Sequence, residues 1–210
     1  MSDESLRVAG LLLAAGASSR LGRSKQLVKI DGVPLVRRAA LTALKSGCDR
    51  VFVVVGANRP PIVEAIADLD VEIIDNRQWP EGIGSSVRIG VGRISACSPK
   101  YDAVLVMLAD QIKIGTEHLE QIIEAFRRHH AIVASEYDNS LGVPALFPRR
   151  YISELRQLTG DAGAKLLLRK HASEVRWISC PQASVDMDTP GDFHGIAAGK
   201  NHSKRPDSSE

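Results

Sequence analysis

Short, unbroken runs of Val, Ile and Leu recur along the chain: RVAGLLLAA (7–15), RVFVVV (50–55), VEIID (71–75), DAVLVMLA (102–109) and AIVASEY (131–137). Runs this short and this apolar predict strands covered on both faces. Helical periodicity fills the gaps. Pro34 suits a first helical turn leading into LVRRAALTALKSG, which ends at Gly47 as a C-terminal glycine should. Thr116 is expected to cap a helix whose Leu119, Ile122, Ile123 and Phe126 recur at i, i+3, i+4 and i+7, burying one face. From about 137 the pattern loosens: YDNSLGVPALFPRR reads as a loop, a short strand and a turn, followed by helices around 150–158 and 161–170. This later half reads as a substrate-side cover. The β-α-β-α order predicts an α/β fold, a doubly wound and mostly parallel sheet with right-handed crossovers. Ligands then sit outside the carboxyl ends of the strands, so the loops that follow strands are the places to search.

Composition adds limits. At 210 residues, 44% hydrophobic and 25% charged, the chain suits one ordinary globular domain with a full core. We expect that domain over 1–198 and a disordered polar tail over 199–210, within GKNHSKRPDSSE. A net charge of +2 without a basic run points to small-molecule partners, with no nucleic acid and no membrane. Cys48, Cys97 and Cys180 are scattered and form no CxxC, which predicts neither a disulfide framework nor a zinc site. MSDESLRV has no signal-peptide core and no run is long enough for a membrane span, so a cytoplasmic protein is expected.

One stretch breaks the apolar rhythm with chemistry. In LLLAAGASSRLGRSKQL (11–27) a strand opens into Gly16, Ala17, Ser18 and Ser19, then Arg20, Gly22 and Lys25. Small residues expose successive backbone N–H groups as a concavity for anionic oxygens. Arg20 adds a planar fork of donors and Lys25 a compact charge, which together suit a polyphosphate. The plain alternative is a glycine turn with solvated cations. Neither standard phosphate loop is present. The glycines at 16 and 22 do not fit GxGxxG, and Gly22 is followed by Arg23 rather than by the Lys of a P-loop.

LAAGASSRLGRSKQL resembles the LAAGxSxRxGxxKxL signature of the MobA-like nucleotidyltransferases. Further segments resemble the molybdenum cofactor cytidylyltransferase branch: NRQWPEGIGSSVRIGV (76–91), VLVMLADQ (104–111), GVPALFPR (142–149), LTGDAGAKLLL (158–168) and VDMDTPGDF (185–193). These six segments stand in the family's order between about 8 and 193. The resemblance implies a Rossmann-like fold of the nucleotide-diphospho-sugar transferase type. It also implies Mg²⁺-dependent transfer of CMP from CTP to the phosphate of molybdopterin or molybdenum cofactor, with pyrophosphate released. A molybdoenzyme or its chaperone would receive the product.

By the same resemblance Arg20, Lys25 and Asp110 are the catalytic residues, and Leu13, Ala14, Ala15, Gly16, Ser18, Ser19, Gly82, Ser85 and Ser86 bind the nucleotide. Cytidylyltransferases of the group carry LAAG where guanylyltransferases carry LAGG, so Ala15 favours CTP over GTP. A hard cation such as Mg²⁺ takes one or two carboxylates besides substrate phosphates. Asp110 stands at the end of a predicted strand, where an open sheet presents its ligands; capping of the next segment is its plain alternative. The Asp before Thr-Pro carries over to Asp188 as the second ligand, with Asp186 in reserve, while Asp192 reads as a helix-start acid.

Val143, Asp161 and Lys165 fall on the acceptor side. There the chain departs from the family: Ile112 replaces a Pro, Val143 a His and Lys165 an Arg. Other phosphorylated acceptors therefore stay open, as does a catalytically silent nucleotide- or cofactor-binding module. His118 and His171 are expected at the surface, His129 and His130 diverge on a helix, and Trp79 and Trp177 are expected to pack.

Overall fold

The computed structural model describes residues 6–17 and 24–181. The first apolar run forms β1 (Val8–Ala14), every residue of it buried. A two-stranded ribbon follows, β2 (Lys29–Ile30) and β3 (Val33–Pro34), leading into α1 (Leu35–Lys45). Next come β4 (Arg50–Val55), α2 (Arg59–Ala65), β5 (Val71–Asp75), α3 (Ile83–Ser95), β6 (Ala103–Leu108) and α4 (Thr116–His129). The chain then forms β7 (Ile132–Tyr137), β8 (Ser140–Pro148), α5 (Ile152–Leu155), α6 (Lys165–Lys170) and β9 (Val175–Ser179).

Seven strands make one sheet in the order β5-β4-β1-β6-β8-β7-β9. Neighbours run parallel except around β8, which is antiparallel to both β6 and β7. This is the expected α/β, doubly wound, mostly parallel sheet.

Both faces of β1 are covered, as its unbroken hydrophobicity requires. Leu11 and Leu13 belong to a core layer with α3, α5 and α6, while Val8, Leu12 and Ala14 belong to the other with α1, α2 and α4. The amphipathic reading of α4 holds: Leu119, Ile122, Ile123 and Phe126 are its buried residues. Its cap differs. Gly115 occupies the N-cap and Thr116 is the first helical residue, with no side-chain capping bond. The short β9 is absent from the expected strands because its sequence, VRWIS, carries Arg176 and Ser179 on a mostly exposed edge; Trp177 there is 62% exposed rather than packed.

Two histidines depart from the surface expectation. His118 is half-buried, and its Nε2 lies 2.8 Å from Ser135 Oγ, which itself donates to the Pro144 carbonyl. The hydroxyl must therefore accept from the ring, and burial lowers the His118 pKa. His171 is half-buried between Glu154 and Glu174.

Candidate active site

Register brings the strand exits together. Ala14 pairs with Val55, and Leu13 with Leu108, so β4, β1 and β6 end side by side. The ladder continues past their ends: Ala57 N donates to Ala15 O at 3.1 Å, and Ala109 N to Leu13 O at 3.2 Å. Over this edge lies a cleft of about 370 Å³. Leu13, Ala15 and Gly16 line it from β1, and Leu108, Ala109 and Asp110 from β6. Trp79, Pro80, Gly82, Ile83 and Ser86 line it from the start of α3, joined by Ala17, Gln26 and Asp161.

Lys25 and Asp110, far apart in sequence, meet on this cleft. Lys25 sits in a single 3-10 turn, Lys25–Leu27, is 8% exposed, and places its Nζ 3.0 Å from Asp110 Oδ2. Both ends of the small-residue loop are held as well. Gln26 Nε2 donates to the Gly16 carbonyl at 2.9 Å, while Ser24 Oγ donates to Gln26 Oε1 at 2.7 Å. Ser18, Ser19 and Arg20 lie outside the described residues, as do Asp186 and Asp188.

The opposite wall is built around a buried amide. Asn76, 0% exposed, donates from Nδ2 to both Ser85 Oγ and Ser86 Oγ at 3.0 Å, and its Oδ1 accepts from Gln78 N at 2.9 Å. Ser85 Oγ donates in turn to Gly82 O at 2.8 Å, so the Ser85 side chain braces the wall from behind while Ser86 reaches the cleft. Gly82 has φ +101, and a Cβ there would stand 2.5 Å from Asp161 Oδ1 and 2.6 Å from the Gly160 carbonyl. Glycine is therefore required on both backbone and steric grounds. Arg88 completes the brace, donating to Leu158 O at 3.0 Å, Gln78 Oε1 at 3.0 Å and Glu81 Oε2 at 2.7 Å.

The expected site residues thus divide. Leu13, Ala15, Gly16, Gly82, Ser86, Asp110 and Asp161 line one cleft, with Lys25 paired to Asp110. The Ala14 side chain belongs to the core layer on the other face of the sheet. Val143 packs partly buried against the core, and its carbonyl accepts from Gln111 Nε2 at 2.7 Å; Lys165 opens α6. Neither residue lines the cleft.

Nothing in the sequence assigns a role to Gln26 or Gln111, and Trp79 is expected only to pack. Gln26 falls at a variable position of the signature, although its place beside Lys25 is a usable signal. Trp79 lines the cleft while packing on the core. Gln111 follows Asp110 directly and ties its loop to β8.

The arrangement offers a polar, cation-bearing side and an apolar slot. Among the described residues no three His, Cys, Asp or Glu side chains group as a ready metal centre. Leu13, Trp79 and Ile83 form the apolar slot.

A family model described as the MobA-like NTP transferase domain matches residues 10–175. Among curated proteins, the chain is 33% identical over 195 residues to nicotine blue oxidoreductase of Paenarthrobacter nicotinovorans, covering 87% of this chain and 92% of the relative. It is 25% identical over 192 residues to the molybdenum cofactor guanylyltransferase of Rhodobacter capsulatus, covering 90% and 94%. Among solved structures, Rv0371c from Mycobacterium tuberculosis H37Rv superposes with a TM-score of 0.78 at 25% identity, over 92% of this chain and 98% of that one.

Proposed function

The chain belongs to the MobA-like NTP transferase family, and from that premise we propose that it moves CMP from CTP to the phosphate of a molybdopterin-type acceptor, releasing pyrophosphate. The observation that carries this reading is the Lys25–Asp110 pair, a cation and a hard oxygen ligand 3.0 Å apart on a nucleotide-sized cleft. A binder of apolar ligands has no use for such a pair.

The chemistry asks little covalent work of the protein. An acceptor phosphate oxygen attacks the α-phosphorus in line, the bond to the bridging oxygen breaks, and pyrophosphate leaves. Lys25 neutralises the phosphates as charge moves onto the leaving group, and Arg20 adds its fork of donors to the same loop. Asp110 fits a divalent cation, since its side chain is 28% exposed, is acceptor-only when ionised, and lines the cleft, where substrate phosphates would complete a shell. Asp188, outside the described residues, supplies the second carboxylate. When bound, Mg²⁺ supplies charge neutralisation and a template for the phosphate oxygens.

Support for cytosine comes from Ala15. Ala15 lines the cleft, is 4% exposed, and packs so closely on Gly56 that a Cβ at Gly56 would lie 3.0 Å from its own Cβ. Alanine at this position is in keeping with the LAAG resemblance.

Pyrophosphate release from each of the four NTPs with Mg²⁺ or Mn²⁺, with and without molybdopterin, tests the proposal. Release from CTP that needs the pterin is expected. Pterin-independent release, or release from GTP alone, contradicts it. A second reading rests on the 33% relative named as an oxidoreductase: the same cleft would hold a nucleotide-containing cofactor and transfer no nucleotidyl group. The absence of pyrophosphate from any NTP, together with cofactor oxidation, would favour it.

A further inference from the structure

Asp161 is unaccounted for by the chemistry above. It lines a cleft whose proposed substrate carries a polyphosphate, where a carboxylate would be repelled. It has no hydrogen-bond or ion-pair partner among the described residues. Its place is nonetheless fixed. Gly84 N donates to Gly160 O at 2.8 Å, and the missing side chain of Gly82 leaves room for Asp161 Oδ1 against the first turn of α3.

This side of the cleft is not built for phosphate. The amides of Gly82, Gly84 and Ser85 already donate to Trp79 O, Gly160 O and Gly82 O. What surrounds them is the apolar slot of Ala15, Trp79 and Ile83. An ionised carboxylate only accepts hydrogen bonds, so the ligand edge that faces Asp161 must donate. Of the groups on a nucleotide, the ribose hydroxyls and the exocyclic amine of the base can donate, and the flat, apolar slot beside Asp161 suits the base rather than the sugar.

We propose that Asp161 determines base specificity: its carboxylate accepts a hydrogen bond from the exocyclic amine of cytosine. Uracil carries a carbonyl oxygen at the same ring position and would face the carboxylate acceptor to acceptor, which sets discrimination between the two pyrimidines. The proposal rests on the nucleotide reading and moves Asp161 from the acceptor side, where family resemblance puts it, to the base.

Equilibrium binding of CTP, UTP and the 2-pyrimidinone ribonucleoside triphosphate, which lacks the amine, tests this without any acceptor. Calorimetry with Mg²⁺ on the full chain and on Asp161→Asn would supply the six constants. The wild type should prefer CTP to both others by about 10–100-fold, the range for a hydrogen bond to a charged group. Asp161→Asn should bring the CTP:UTP ratio to within a few-fold and leave the 2-pyrimidinone constant unchanged, which also reports an intact cleft. An unchanged CTP:UTP ratio in the variant overturns the assignment of Asp161 alone, as does an equal loss of all three ligands. Failure of the wild type to bind any of the three overturns the nucleotide reading and this proposal with it.

Discussion

Lys25, for which the sequence offers a solvated cation as the plain alternative, is nearly buried and paired with Asp110. Two roles meet in it: its charge offsets Asp110, and under the proposed chemistry it offsets the phosphates. Lys25→Ala is expected to lower turnover by about 10²–10³, the usual effect of removing one preorganised donor. Far-UV circular dichroism should stay unchanged, because the carboxylate it leaves is partly open to water. Unaltered turnover would show that the loop does not handle phosphate. Gln26 closes that loop through the Gly16 carbonyl. The residue reading reached Lys25 and Asp110 through the motif, but could not see that Ser85 faces inward while Ser86 faces the cleft. Adjacent residues of one helix point about 100° apart: Asn76 holds both hydroxyls, Ser85 turns back to Gly82 O, and Ser86 lines the cleft.

At the scale of elements, one wall of the cleft is the first turn of α3, and it is held by side chains rather than by its own sequence. Asn76→Ala removes the donor to two hydroxyls inside a fully buried cluster and should destabilise the fold by about 1–3 kcal/mol, read as a lower urea midpoint with unchanged slope. Gly82→Ala meets both a positive φ and the 160–161 backbone. It should cost about 1–2 kcal/mol in backbone strain and raise the KM for nucleotide as the wall shifts. β1, β4, β6 and α4 were legible because burial on both faces, or on one, writes an unbroken or a 3.6-residue pattern. α2 and α3 were not. Pro60 and Pro61 open α2, and Gly84, Gly90 and Gly92 dilute α3, the first two where its backbone must come close to Thr159 and to Leu11.

On the scale of the molecule, the sheet edge supplies the cleft and a set of ion pairs ties its outer elements down. Asp68 accepts from both guanidinium nitrogens of Arg37, which holds its pKa down to about 2. Glu154 is lowered by Lys170 and then His171, and Glu174 by Tyr151 and then His171. For carboxylates depressed in the folded state, the stability they contribute is present above their unfolded pKa and lost as pH falls through the folded one. The thermal midpoint should therefore fall as pH drops from about 5 towards 2, with a shallower fall in Asp68→Asn. The fold class and most of the site were legible because β-α-β order and strand-exit loops follow from local pattern. Asp161 against Gly82 was not, since their meeting depends on how the later half of the chain folds back over the sheet.

The most direct measurement of the central claim is the fate of the α-phosphate. With CTP labelled at that phosphorus, Mg²⁺ and molybdopterin, the label should appear in the pterin product in equal amount to the pyrophosphate released. Label that stays in CTP, or that leaves as free CMP whether or not pterin is present, would contradict nucleotidyl transfer to this acceptor.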